Sequence, residues 1–130
     1  IFNTKEEQAV RFCWSTLAVK NMDESIKFYK EIVGLELVKR YQSGKDTEIA
    51  FLNDAETKIE LICNKDKKEI NIGQDILWGF YVDSVEKQMA LMKEKGVEIT
   101  SGPFQPNPFT KFFFITDPNG MKIQFVENLS

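Results

Sequence analysis

VKNMDESIKFYKEIVGLEL, residues Val19 to Leu37, decides the fold. Asn21 stands as a helix N-cap, with Glu24 three residues on in a capping-box arrangement. Ile26, Tyr29, Ile32 and Val33 then fall on one apolar stripe, the spacing of a helix laid against a sheet. Gly34 ends the helix, because a positive φ after the last turn costs glycine no steric clash. Working outward, RFCWSTLAV (Arg11 to Val19) reads as a strand before the helix. Three strand candidates follow it: Leu35 to Tyr41, Glu48 to Leu52 and Thr57 to Cys63. Ser43-Gly44 and Asn53-Asp54 separate them.

The same order returns about 62 residues later, the mark of an internal repeat. Ile76 to Val82 is a strand. Asp83 stands as the second N-cap, with Glu86 three residues on. Val85, Met89 and Met92 make the stripe, and Gly96 closes the helix. Val97-Glu98-Ile99 matches Leu35-Glu36-Leu37, and the final KIQFVEN (Lys122 to Asn128) matches KIELICN (Lys58 to Asn64). Chance similarity between two capped helices is the plain alternative, but caps, stops and last strands all recur in one order. The expectation is an α+β fold of two tandem βαβββ modules, 11–64 and 75–128, within a single domain over 1–130. The linker is 65–74, and its Lys65 to Glu69 charge run reads as solvated. Each helix buries its stripe on one sheet face and leaves the other face free. Two such mixed sheets, curved and side by side, would enclose a cleft suited to a small ligand.

Net charge is −3, which argues mildly against the basic face that nucleic-acid binding needs to displace phosphate counterions, and nucleic acid is not an expected partner. No apolar run approaches the roughly 20 residues that span a bilayer, so no membrane is expected either. Cys13 and Cys63 are too few for a secreted disulfide scaffold, which points to reduced thiols and a cytoplasmic location. A disulfide stays open if their strands are neighbours. The chain has no histidine. That removes Ser-His-Asp and Cys-His triads and the commonest metal ligand. Cys13, Cys63, Ser15 and Thr16 have no evident base to activate them.

The runs Val19 to Leu37, Val82 to Ile99 (VDSVEKQMALMKEKGVEI) and Phe114 to Glu127 (FITDPNGMKIQFVE) resemble the vicinal oxygen chelate family, which includes glyoxalases and bleomycin-resistance proteins. The resemblance covers nearly all of residues 11–128. It implies a metal held by four His or Glu side chains, one from the first and one from the last strand of each module. Those positions fall on Trp14, Glu60, Leu77 and Gln124. Three of the four depart from the pattern, and two oxygen donors are few for a tight Zn, Ni or Mn site. No metal and no cofactor is therefore expected, and no catalytic residue is assigned.

Expected ligand contacts are Trp14, Glu60, Leu77, Phe109 and Gln124. Phe104 and Phe109 are placed in a loop stiffened by Pro103, Pro106 and Pro108. Phe112, Phe113 and Phe114 alternate faces, so Phe113 cannot share a face with the other two. Asp117-Pro118-Asn119-Gly120 reads as a structural turn. The leading expectation is a metal-independent protein that binds an unidentified small molecule, with Glu60 orienting a cationic ligand as the bleomycin-resistance branch implies. The first alternative is a glyoxalase-type lyase or isomerase. The second is a homodimer whose sheet faces meet with no ligand. The family resemblance implies a homodimer in any case.

Overall fold

The computed structural model describes residues 8–130; residues 1–7 precede both modules and lie outside the described residues. Module one is β1 (Trp14–Ala18), α1 (Met22–Phe28), β2 (Leu37–Ser43), β3 (Thr47–Leu52) and β4 (Lys58–Asn64). Module two is β5 (Leu77–Tyr81), α2 (Val85–Glu94), β6 (Ser101–Asn107), β7 (Thr110–Thr116) and β8 (Lys122–Asn128). The strand orders are β1-β4-β3-β2 and β5-β8-β7-β6, each with one parallel pair closing the βα crossover. The architecture is the expected α+β duplication.

Asn21 caps α1, its side chain accepting from the Glu24 backbone N–H. The helix then widens into one π-helical turn, Tyr29–Val33, before Gly34 takes φ 93°. The second cap is Ser84 rather than Asp83: the Ser84 hydroxyl accepts from Lys87 N at 3.1 Å. Serine suits the position, and Asp83 sits one residue too early to reach the first-turn donors.

Both helices pack against the same faces of their sheets, and one apolar cluster draws on both modules. Its members include Leu17, Tyr29, Leu61, Met92, Phe113 and Phe125. Alternation puts Phe113 in this core and turns Phe112 and Phe114 to the opposite face, as the sequence requires.

The modules are joined by polar contacts as well. The Tyr29 hydroxyl donates to Asp117 Oδ2 at 2.8 Å, and both residues are buried. Asp117 Oδ1 accepts from the backbone of Asn119 and Met121, so the carboxylate organises its own turn and anchors it to module one. Asn119 bonds Ser25 and the Lys20 backbone N–H. The Trp78 indole donates to the Ser15 hydroxyl. The Asp-Pro-Asn-Gly turn is thus a clasp between modules.

One expectation is corrected in module two. Phe104 lies in strand β6, not in a loop. Proline tolerates an edge strand because its missing N–H faces away from the ladder. β6 is that edge strand, and its pairing with β7 shifts register on either side of Phe104. Phe109 stays outside the strands, in the turn between β6 and β7.

Candidate functional site

On the face of the first sheet away from α1, cross-strand pairing lines up three rows. Trp14 stands opposite Lys58. Thr16, Glu60, Phe51 and Lys39 follow in direct register across β1, β4, β3 and β2. Ala18, Ile62, Ile49 and Tyr41 make the third row. The first two rows and Tyr41 surround a cavity of about 320 Å³ lined by Trp14, Val38, Lys39, Tyr41, Phe51, Lys58 and Glu60.

The rings are set by close contact. Trp14 meets Phe51 edge to face, with centroids 5.1 Å apart. Glu60 is fixed by the Thr16 hydroxyl, which donates to Oε1 at 2.6 Å. Lys39 holds its ammonium 5.0 Å from the Phe51 centroid and 5.5 Å from that of Tyr41. A β-bulge aims it there. Leu37 pairs with Leu52 but Lys39 pairs with Phe51, so Val38 is an extra residue. Regular alternation through Leu37-Val38-Lys39 would put Lys39 on the core-facing side with Leu37; the bulge at Val38 turns it to the other face. Bulges turn side chains in this way beside functional sites.

The second sheet repeats the geometry with different chemistry. Leu77 stands opposite Lys122, as Trp14 does opposite Lys58. Gly79, Gln124, Phe114 and Ser101 replace Thr16, Glu60, Phe51 and Lys39. A β-carbon at Gly79 would stand 3.3 Å from Gln124 Oε1, so the glycine makes room for that amide. Phe104, Phe112 and Phe114 cluster at centroid separations of 5.5–6.3 Å.

The structure therefore brings together two of the five expected contacts, Trp14 and Glu60. Leu77 lines a different cavity, of about 390 Å³, with Phe12, Trp78 and Phe80. Gln124 faces the aromatic side of the second sheet, and Phe109 is exposed in its turn. Sequence reasoning missed Lys39, Tyr41, Phe51 and Lys58. Lys58 was within reach, since it lies two residues before Glu60 on the same strand face. Lys39 was not, because the bulge reverses its alternation.

The sequence profile of the Glyoxalase/Bleomycin resistance protein/Dioxygenase superfamily matches residues 11–125. The chain belongs to this superfamily. A probable chloroplastic lactoylglutathione lyase of Arabidopsis thaliana is 33% identical over 119 residues, 84% of this chain and 33% of that protein. The lactoylglutathione lyase of Neisseria meningitidis is 28% identical over 132 residues, 93% of each. Glyoxalase I from Zea mays superposes with a TM-score of 0.81 at 26% identity, over 92% of this chain and 45% of that one. The chain thus spans about a third of the Arabidopsis protein and under half of the maize one, but nearly all of the bacterial relative.

The superfamily resemblance implies a divalent metal, and the donor set here does not fit one. Trp14 and Leu77 offer no lone pair to a metal. Glu60 and Gln124 offer oxygens, on different sheets, and one Glu60 oxygen already accepts from Thr16. Among the described residues no group of three or more His, Cys, Asp or Glu is placed to hold a metal ion. Tight Zn, Ni or Mn sites take more nitrogen, sulfur or carboxylate donors than this.

Proposed function

We propose that this chain is a metal-independent, small-molecule-binding member of its superfamily, and that the first sheet's aromatic face is its site. The observation that carries the reading is the convergence of Trp14, Phe51 and Tyr41 on one cavity with a carboxylate fixed by Thr16. Its volume falls in the range of small-molecule sites, and an apolar wall with a few placed polar groups is their usual composition. Leu77, Phe109 and Gln124 contribute through the second sheet where a partner copy brings that face close. Support for a homodimer comes from the exposed aromatic side of that sheet, where Tyr81 is 82% and Phe104 45% accessible. Modules 11–64 and 75–128 joined by linker 65–74 then act as one unit. Two free cysteines support a reducing, cytoplasmic setting. No helix among the described residues is long and apolar enough to cross a membrane.

A lyase of glyoxalase type is the second reading, favoured by the likeness to lactoylglutathione lyases. One experiment separates the two. The protein is dialysed against Zn, Ni and Mn near neutral pH, analysed for retained metal, and assayed for turnover of a glutathione hemithioacetal. Binding alone predicts no stoichiometric metal and no turnover. Retained metal with turnover would overturn it and restore the lyase.

A further inference from the structure

The charge inside the Trp14 cavity is opposite to what its single carboxylate suggests. Two ammonium groups, Lys39 and Lys58, line the same cavity as Glu60. Among the described residues Glu60 pairs with neither, and neither ammonium makes any other ion pair or side-chain hydrogen bond. Glu60 is instead engaged by the uncharged Thr16 hydroxyl. The corresponding lysine of the second sheet behaves differently: Lys122 donates to the Gln74 carbonyl. The first sheet therefore keeps two ammoniums free of ion-pair and hydrogen-bond partners among the described residues, where the second has its equivalent of Lys58 tied to a carbonyl.

The position of Lys39 sharpens this. A cationic ligand entering an aromatic cavity seeks the faces of its rings. Here the faces of Phe51 and Tyr41 already carry the chain's own ammonium. A second cation there would meet like charge from Lys39 and again from Lys58. An anion would meet two attractive charges, over low-dielectric ring walls that strengthen both. The bulge at Val38 is the device that delivers Lys39 to this place.

We infer that the Trp14 cavity takes a small organic anion, a carboxylate or comparable acid on an aromatic or apolar body. Lys39 and Lys58 meet the acid group while Trp14, Phe51 and Tyr41 hold the body. This rests on the reading of the cavity as a small-molecule site, and it fixes the class of molecule. Glu60 then accepts from a hydroxyl or amide N–H of the ligand through its second oxygen, Oε2, and does not pair with a ligand cation.

The test compares three probes of one shape by titration calorimetry on the full chain: 2-naphthoate, neutral 2-naphthalenemethanol and cationic 2-naphthylmethylammonium. The expected order is anion tightest, then neutral, then cation. Losing one charge-assisted contact should weaken 2-naphthoate about tenfold in Lys39→Met and in Lys58→Met. The neutral probe should change little in either, and Lys39→Arg should keep most of the anion affinity. Added salt should weaken the anion and spare the neutral probe. A cation that binds as tightly as the anion would overturn the charge assignment and leave the site standing. So would 2-naphthoate affinity that is indifferent to both lysine substitutions while remaining sensitive to Trp14→Ala. If none of the three probes binds, or Trp14→Ala changes nothing, the small-molecule reading of this cavity falls with it.

Discussion

Replacing Tyr29 with phenylalanine tests the clasp that holds the two modules in their observed relation. The side chain is fully buried, and its hydroxyl donates to a buried Asp117 oxygen. Removing one oxygen leaves almost no cavity, so packing contributes little. The cost is the hydrogen bond, together with an acceptor left without its donor. Bonds to charged groups are worth about 1.5–3 kcal/mol. For a chain of this length, about 4 °C of melting temperature accompanies each kcal/mol. Tyr29→Phe should therefore melt about 6–12 °C lower near neutral pH, by the same relation. Tyr41→Phe, on the exposed face, should stay within about 0.5 kcal/mol of the parent. The pH dependence adds a second, independent signature. Burial pushes the Tyr29 phenol far above its ordinary range, and the charge and hydrogen bond of Asp117 push it further. The unfolded chain releases the same proton near pH 10. The stability tied to the neutral phenol is thus fully present below about pH 10. It is lost above that at about 1.4 kcal/mol per pH unit. In urea titrations, the gap between parent and Tyr29→Phe should be constant from pH 7 to 9 and narrow by about 2 kcal/mol by pH 11.5. A melting difference under about 2 °C at pH 7, where the relation above gives several times that, would refute the clasp. A gap that does not narrow in alkali would refute the burial argument.

Gly102→Ala should cost more than about 2 kcal/mol in a urea titration, through strain and overpacking together. Its φ is +101°, and a β-carbon there would stand 2.9 Å from the Phe113 β-carbon. Ser84→Ala should cost about 1 kcal/mol by loss of the cap, while Asp83→Ala should cost under about 0.5 kcal/mol; the reverse order would return the cap to Asp83. Phe113→Ala, in the core, should lose about 3–5 kcal/mol, and Phe112→Ala distinctly less; equal losses would mean that the two faces of β7 are assigned wrongly.

Most of the fold was legible because its signals are local. Asn21, Gly34 and Gly96 announce helix ends by chemistry that acts within one turn. The repeated KIELICN and KIQFVEN runs announce last strands by alternation alone. The errors fall where tertiary context decides. Ser84 and Asp83 are both competent caps, and only the helix's register chooses between them. Pro103 and Pro106 read as a loop because a sequence does not reveal that a strand is an edge, whereas Pro108 does lie in the turn with Phe109. The clasp was half legible: the turn chemistry of Asp117 to Gly120 is local, but its bond to Tyr29 spans 88 residues.

The candidate site was less legible for a physical reason that the repeat itself exposes. Duplication makes positions equivalent, and equivalence suggests that Trp14, Glu60, Leu77 and Gln124 act as one set. The rows show the two halves diverging instead. Module one keeps a hydroxyl, a carboxylate and two ammoniums on its aromatic face; module two offers a glycine, an amide, one ammonium held by the Gln74 carbonyl and a cluster of phenylalanines. A face with fixed charges selects a ligand by electrostatics, whereas a face of phenylalanines favours apolar burial and discriminates little. The specificity of the pair is therefore concentrated in the first sheet. The charge that governs it comes from Lys39, whose face is masked by one inserted residue that no alternation rule would find. Deleting Val38 would place Lys39 directly after core-facing Leu37, so plain alternation would keep its ammonium on the cavity face opposite Phe51, and the preference for the anion should survive loss of the bulge. A preserved anion preference, measured with the same naphthalene probes, would tie specificity to the ammonium and its face. A preference lost in a folded Val38 deletion would show that the shape of the bulge, and not the face alone, sets where the ammonium stands.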